Sequence, residues 1–190
     1  MRVILVHGIH TEGPSPVRNL IPILQAAAFE VIYPDYGWIA SLETKFVNPI
    51  IVGCLLAFLK EGDRLIGHSN GAAICYDIMN RPECPQLAGA SFINGALEQD
   101  IVRPACVPRI DVYWNQGDDI TEAAKVEQEL GLVDKVWGEL GHAGYDGTDP
   151  TIPNFNCGAT PGEPMVWGHS DWFTPGKVES WGQFYIGRNI

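Results

Sequence analysis

One serine in this chain stands where a hydroxyl could attack a substrate. It lies in 64-RLIGHSNGAAICYDI-78, between Gly67 and Gly71, with a β-favouring apolar run before it and a helix-forming run after it. A strand that turns sharply into a helix holds the turning side chain out of the backbone, and flanking glycines let neighbouring backbone come close. The N-terminus of the following helix adds unpaired N–H groups and a positive dipole end, both suited to a developing oxyanion. Ser69 is therefore the candidate nucleophile for acyl transfer. A glycine-bracketed turn with a capping serine is the plain alternative, but it requires neither the strand nor the helix.

Other residues that could do chemistry are few. Asp118 and Asp119 follow the apolar run Ile110 to Trp114; their plain role is negative charge at the N-terminus of the next helix. His7 and His10, taken with His142 or His169, invite a metal reading, but their spacing matches no metal-binding box. The five cysteines, Cys54, Cys75, Cys84, Cys106 and Cys157, include no C-x-x-C pair and suggest neither a zinc site nor a closed disulfide framework. No cofactor is expected.

Composition narrows the partners. Hydrophobic residues make up 46% of the 190 and charged residues 18%, as in a folded single domain rather than a disordered chain. The net charge of −11, with no lysine or arginine cluster, argues against nucleic acid or an anionic membrane, since phosphate binding is driven by cationic side chains. Met1-Arg2 runs straight into Val3 to Val6, so no secretory signal is expected, and the expected location is cytoplasmic or unknown. The longest apolar region, Phe46 to Leu59, is broken by Asn48, Pro49 and Gly53 and is too short to span a bilayer.

The elements that must position Ser69 alternate along the chain. Val3 to Val6 reads as a strand buried on both faces, followed by a helix opened by Ser15-Pro16, in which Pro22 predicts a kink or a later start near Asn19. Val31 to Tyr33 reads as a strand, and a helical region then runs to about Leu59. Arg64 to Gly67 is a strand, Asn70 to Met79 a helix, and Gly89 to Asn94 and Ile110 to Trp114 are strands. Thr121 is expected to cap a helix that Gly131 stops, and Lys135 to Leu140 is a candidate sixth strand. This alternation predicts an α/β fold, a doubly wound, mostly parallel sheet with helices on both faces and its site at the carboxyl ends of the strands. Residues 141–168, rich in Gly, Pro, Asn, Asp and Thr, read as an irregular loop insertion within one domain.

With these elements in place, Gly67 to Gly71, His7-Gly8 after the first strand, and Leu20 to Leu24 followed by Val31 to Asp35 resemble the α/β-hydrolase superfamily over nearly the whole chain. The likeness is to a minimal lipase or esterase. Ala72, where many relatives carry glycine, departs mildly from the pattern, and the two antiparallel strands that often open the fold are missing. The connection from Asn94 to Pro108 is too short for the large cap domain many relatives use. The resemblance implies a triad in the order serine, acid, histidine. Asp118 fits the acid, with Asp119 as competitor. His169, on a loop before a final amphipathic segment, is preferred as base over His142. Backbone N–H groups of Ile9 and Asn70 would form the oxyanion hole. The implied activity is hydrolysis of a small-molecule carboxylic ester; the alternatives are a thioesterase, amidase or acyltransferase on the same triad, or a silent binding protein. Trp38, Trp167 and Trp172 flank strand-end loops and could line an acyl pocket.

Overall fold

The strand β1 (Arg2–Val6) sends alternate side chains into two interiors, as a strand covered on both faces must. The computed structural model describes residues 1–9, 15–37, 39–132, 137–158 and 165–189. Ile4 and Val6 pack with Leu65, Phe92 and Val112 on one side of the sheet, under helices α2 (Thr44–Leu56) and α3 (Asn70–Met79). Val3 and Leu5 pack with Ile66, Ile93 and Tyr113 on the other, under α1 (Ile21–Ala26) and α6 (Lys177–Asn189). Each fully buried Leu, Ile, Val or Phe contributes about 1.5–3 kcal/mol, so two such interiors fix the strand register against a one-residue slip.

Six strands form the sheet in the order β2-β1-β3-β4-β5-β6, every neighbouring pair parallel. After β1 they are β2 (Glu30–Ile32), β3 (Arg64–His68), β4 (Gly89–Ile93), β5 (Ile110–Trp114) and β6 (Asn154–Asn156). The chain winds outward from β1 to β2, then returns past β1 and winds the other way from β3. This reversal opens a crevice at the carboxyl ends of β1 and β3, where a doubly wound sheet places its ligands. His7-Gly8-Ile9 leaves β1 there, and Ser69 leaves β3 beside it. The connection from β4 to β5 is no large cap: Ala96, Leu97, Ile101, Cys106 and Val107 are all buried in the body of the fold.

Several local expectations need correction. The sixth strand is Asn154–Asn156, inside the stretch read as an irregular loop, which also holds the short helix α5 (Leu140–Ala143). Leu140, expected to end a strand, begins that helix, and residues 135 and 136 of the expected strand lie outside the described ones. The physical reason is that β6 is an edge strand needing only one apolar contact, Phe155 stacked 4.9 Å from Tyr113. Thr121 does not cap α4 (Asp119–Glu129); Asp118 does, accepting from the Thr121 N–H at 3.1 Å. Ser15 makes no capping bond, and residues 16–20 form a 3₁₀ turn before α1 begins at Ile21, with Pro22 in its first turn, where a missing N–H costs nothing.

Candidate active site

Ser69 sits between β3 and α3 with φ 57° and ψ −129°, a backbone conformation that a residue with a side chain adopts only under strain. The sheet over-determines it. The Ser69 N–H donates to the Ile93 carbonyl at 3.2 Å, and its carbonyl accepts from the Ala72 and Ala96 N–H groups at 3.0 and 3.1 Å. The glycines around it permit close crossings: a Cβ on Gly71 would fall 2.2 Å from the Val6 carbonyl oxygen, and one on Gly67 would fall 2.6 Å from the Gly71 oxygen. On the β1 side, a Cβ on Gly8 would fall 2.9 Å from Ser69 Oγ. The backbone that leads into Ile9 therefore runs directly beside the serine hydroxyl.

The two neighbouring aspartates have opposite surroundings. Asp118 is fully buried and Asp119 is exposed in the first turn of α4. His169, reached from the other end of the chain on the loop before α6, places Nδ1 2.8 Å from Asp118 Oδ1. A carboxylate only accepts, so Nδ1 carries the hydrogen and the Nε2 lone pair is left available. Oδ1 thus takes both the imidazole and the Thr121 N–H, while Oδ2 is buried without a hydrogen-bond partner. His142 lies on α5, where its ring nitrogen comes within 4.8 Å of carboxylate oxygens of Asp119 and Glu122. That is the one group of possible metal ligands among the described residues, and exposed acids are common without an ion.

Ser69 and His169 open on one cavity of about 830 Å³. Its walls are mainly apolar, from Ile9, Ile39, Ala96, Ile120, Ala124 and Trp137, as in pockets that bury the carbon skeleton of a small ligand. Of the tryptophans expected there, Trp172 is buried in the core edge-on to Trp181, 5.2 Å between centroids, and Trp167 is exposed, its indole over Gly117. Trp38 and His10 lie outside the described residues. Trp137 takes the wall position instead, donating from Nε1 to Asn70 Oδ1 at 3.0 Å. Asn70 also exchanges two amide hydrogen bonds with Asn48, at 2.9 and 3.0 Å, so the residue after the serine is locked on three sides.

His7 stacks on Tyr36 with 3.8 Å between centroids, and its Nδ1 lies 2.8 Å from the Gly8 carbonyl oxygen. The Tyr36 hydroxyl donates to the His7 carbonyl. Both contacts belong to the turn beside Ser69, which His7 helps to shape. His68 is buried beneath His169, with 4.7 Å between centroids; burial first, and the His169 ring second, push its imidazole down to about 3, so it is neutral at physiological pH. Asn48, His68, Asn94, Asn115 and Trp137 join the site although their spacing in the chain did not mark them as site residues. A signal for three of them was present: His68, Asn94 and Asn115 are polar residues at the ends of successive apolar strands, the edge from which such a sheet builds its sites.

No family model matches the sequence, and no curated protein is similar to it by sequence. Solved structures do resemble it. An inferred hydrolase from Agrobacterium vitis S4 matches with a TM-score of 0.59 at 9% identity, covering 100% of this chain and 88% of that one. An inferred hydrolase of the α/β superfamily from Xanthomonas campestris pv. campestris matches with a TM-score of 0.55 at 14% identity, covering 98% and 96%. A pyrethroid hydrolase from Sphingobium faniae JZ-2 matches at 23% identity and a TM-score of 0.35, over 53% of this chain and 42% of that one, so the chain spans less than half of that protein. Sheet order, the strained turn after β3 and the full-length likenesses agree: the chain has the α/β-hydrolase fold.

Proposed function

We propose that this protein is a serine hydrolase that cleaves small carboxylic esters through an acyl-enzyme. The observation that carries the proposal is the convergence of the strained Ser69 and of His169, bonded to the buried Asp118, on one apolar cavity. His169 Nε2 takes the Ser69 proton as Oγ attacks the ester carbonyl, and the bond to Asp118 holds the imidazole's tautomer and steadies its positive charge. The tetrahedral oxygen accepts from the N–H groups of Ile9 and Asn70. The latter opens α3, where no intrahelical carbonyl reaches it. Collapse expels the alcohol, which leaves with the proton from His169. Water, deprotonated by the same imidazole, then releases the acid. Two full-length structural neighbours described as hydrolases support the reading at the level of hydrolysis. No step needs a metal or cofactor.

Turnover of p-nitrophenyl esters of graded chain length, by the wild type and by Ser69→Ala, tests it. The wild type should hydrolyse the shorter members and the variant none above background. Equal rates in both would remove Ser69 from the chemistry. A folded wild type inert to oxygen esters but active on thioesters or amides would keep the triad and move the substrate class.

A further inference from the structure

The backbone that carries His169 is gripped by three buried side chains, each from the carboxyl end of a different strand. Asn94, just past β4, donates through Nδ2 to the Gly168 carbonyl at 3.0 Å and to the His169 carbonyl at 2.9 Å. Asn115, just past β5, donates to the Gly168 carbonyl at 3.3 Å and to Asn94 Oδ1 at 3.2 Å. Its own Oδ1 accepts from the N–H groups of Gly168 at 2.9 Å and Gly117 at 3.1 Å. His68, the last residue of β3, stands with Nε2 3.0 Å from the His169 carbonyl oxygen, which can only accept.

Every N–H of both amides is used, and both asparagines are fully buried. Turning either amide over would set oxygen against carbonyl oxygen and N–H against N–H, so the network fixes both orientations. Such complete satisfaction is more than filling space demands. Asn94 also accepts φ 45°, a left-handed conformation that asparagine tolerates better than an apolar residue would. The four bonds to the loop backbone and the His68 contact hold the Gly168 N–H and the carbonyls of Gly168 and His169, groups of three successive peptide units, which together set where the His169 Cα stands and how its side chain leaves.

We propose that Asn94 and Asn115, with His68 as third arm, form a clamp that positions the base. The clamp acts through the backbone of His169 and rests on the proposed role of that residue. The asparagines are positioning residues: they bond the loop, not the substrate. Misplacing a reacting group by about 1 Å costs on the order of 10²-fold in rate, so a loosened clamp should lower kcat while leaving the apolar cavity, and hence KM, nearly unchanged.

The test uses the full chain with Asn94→Asp and Asn115→Asp. Each keeps the size of the side chain, and the first keeps its tolerance of positive φ, but each loses the donor. Two readouts are taken on protein shown to be folded by circular dichroism. One is kcat and KM on p-nitrophenyl acetate. The other is the far-downfield proton resonance of His169 Nδ1–H against Asp118, identified by its loss in His169→Gln. The expected result is a kcat lowered about 10- to 100-fold with KM little changed, together with a broadened or shifted resonance. Wild-type kcat and an unmoved resonance in the folded variants would overturn the clamp and leave the triad standing. If the wild type hydrolyses no ester, the resonance alone decides the clamp, and the failure belongs to the proposed function. Should Asn94→Asp not fold, Asn115→Ser, which removes the Asn115 bonds to Gly168 and leaves both Asn94 bonds to the loop in place, is read in the same way.

Discussion

Two carboxylates one residue apart, and two histidines on different loops, differ here by what surrounds them. Asp118 is buried against His169 and the first turn of α4, whereas Asp119 faces solvent. Asp118→Asn is expected to lower kcat about 10⁴-fold, because the amide offers a donor where the imidazole needs an acceptor. Asp119→Asn should leave it nearly unchanged, and steady-state kinetics on both variants would expose a reversed order. His169→Ala should be as damaging as Asp118→Asn, and His142→Ala mild. His68 adds a pH dependence of stability. Its imidazole is pushed down to about 3 by burial, so between pH 6.5 and 3 the unfolded chain binds a proton that the folded one refuses. The stability it contributes is full above about 6.5 and is lost as pH falls towards 3, on the order of 5 kcal/mol across the window. Urea unfolding at steps from pH 7 to pH 4 should show a steeper acid loss for wild type than for His68→Gln, which keeps a donor for the His169 carbonyl. Equal slopes would contradict this account of His68.

At the scale of elements, the selectivity of the proposed ester hydrolysis belongs to the walls that α4 and the segments before α2 and α5 provide. Ala124 is buried on α4 and faces the cavity with Ile39 and Trp137. Ala124→Leu should shorten the pocket, raising KM for long-chain p-nitrophenyl esters several-fold while sparing the acetate; a uniform change across the series would remove Ala124 from the wall. The stretch 141–168 contributes to the edge of the sheet. Its described residues supply β6 and the bonds from Ile110 and Val112 N–H to the carbonyls of Thr151 and Pro153, so trimming it would uncover the edge of β5. Most of this architecture was legible because buried strands write themselves as largely apolar runs, as in β1, β4 and β5, the last two interrupted only by Ser91 and Asp111. β6 was not, since Asn154-Phe155-Asn156 carries a single apolar side chain. The turn at Ser69 was legible because glycine is required wherever backbone crosses backbone. The asparagines behind His169 were not, because their partners are peptide groups 53 to 75 residues away, and no spacing encodes that.

The molecule as a whole divides its polar interior between the two ends of the sheet. The carboxyl ends hold the serine, the histidines and the asparagine clamp. Near the opposite ends of the strands, Arg64 donates to Asp111 at 2.9 Å and to the Tyr185 hydroxyl at 3.0 Å, and Arg109 reaches the other oxygen of Asp111 at 2.6 Å. Asp111 and Tyr185 are almost wholly enclosed, so this lock ties β3 and β5 to α6. Removing one partner of such a buried pair strands the other charge. Asp111→Asn should therefore lower unfolding stability by about 3–5 kcal/mol, read from urea denaturation. The native fraction should keep wild-type turnover, because the site lies at the other end of the sheet; a variant of undiminished stability would show the lock to be dispensable. Among the described residues, no helix is long and apolar enough to cross a membrane.

The most direct measurement is intact-protein mass spectrometry after reaction with a fluorophosphonate, followed by peptide mapping. One covalent adduct per chain is expected, on the peptide containing Ser69, absent in Ser69→Ala and formed far more slowly in folded His169→Ala. An adduct on another residue, or equal labelling of wild type and Ser69→Ala, would contradict it.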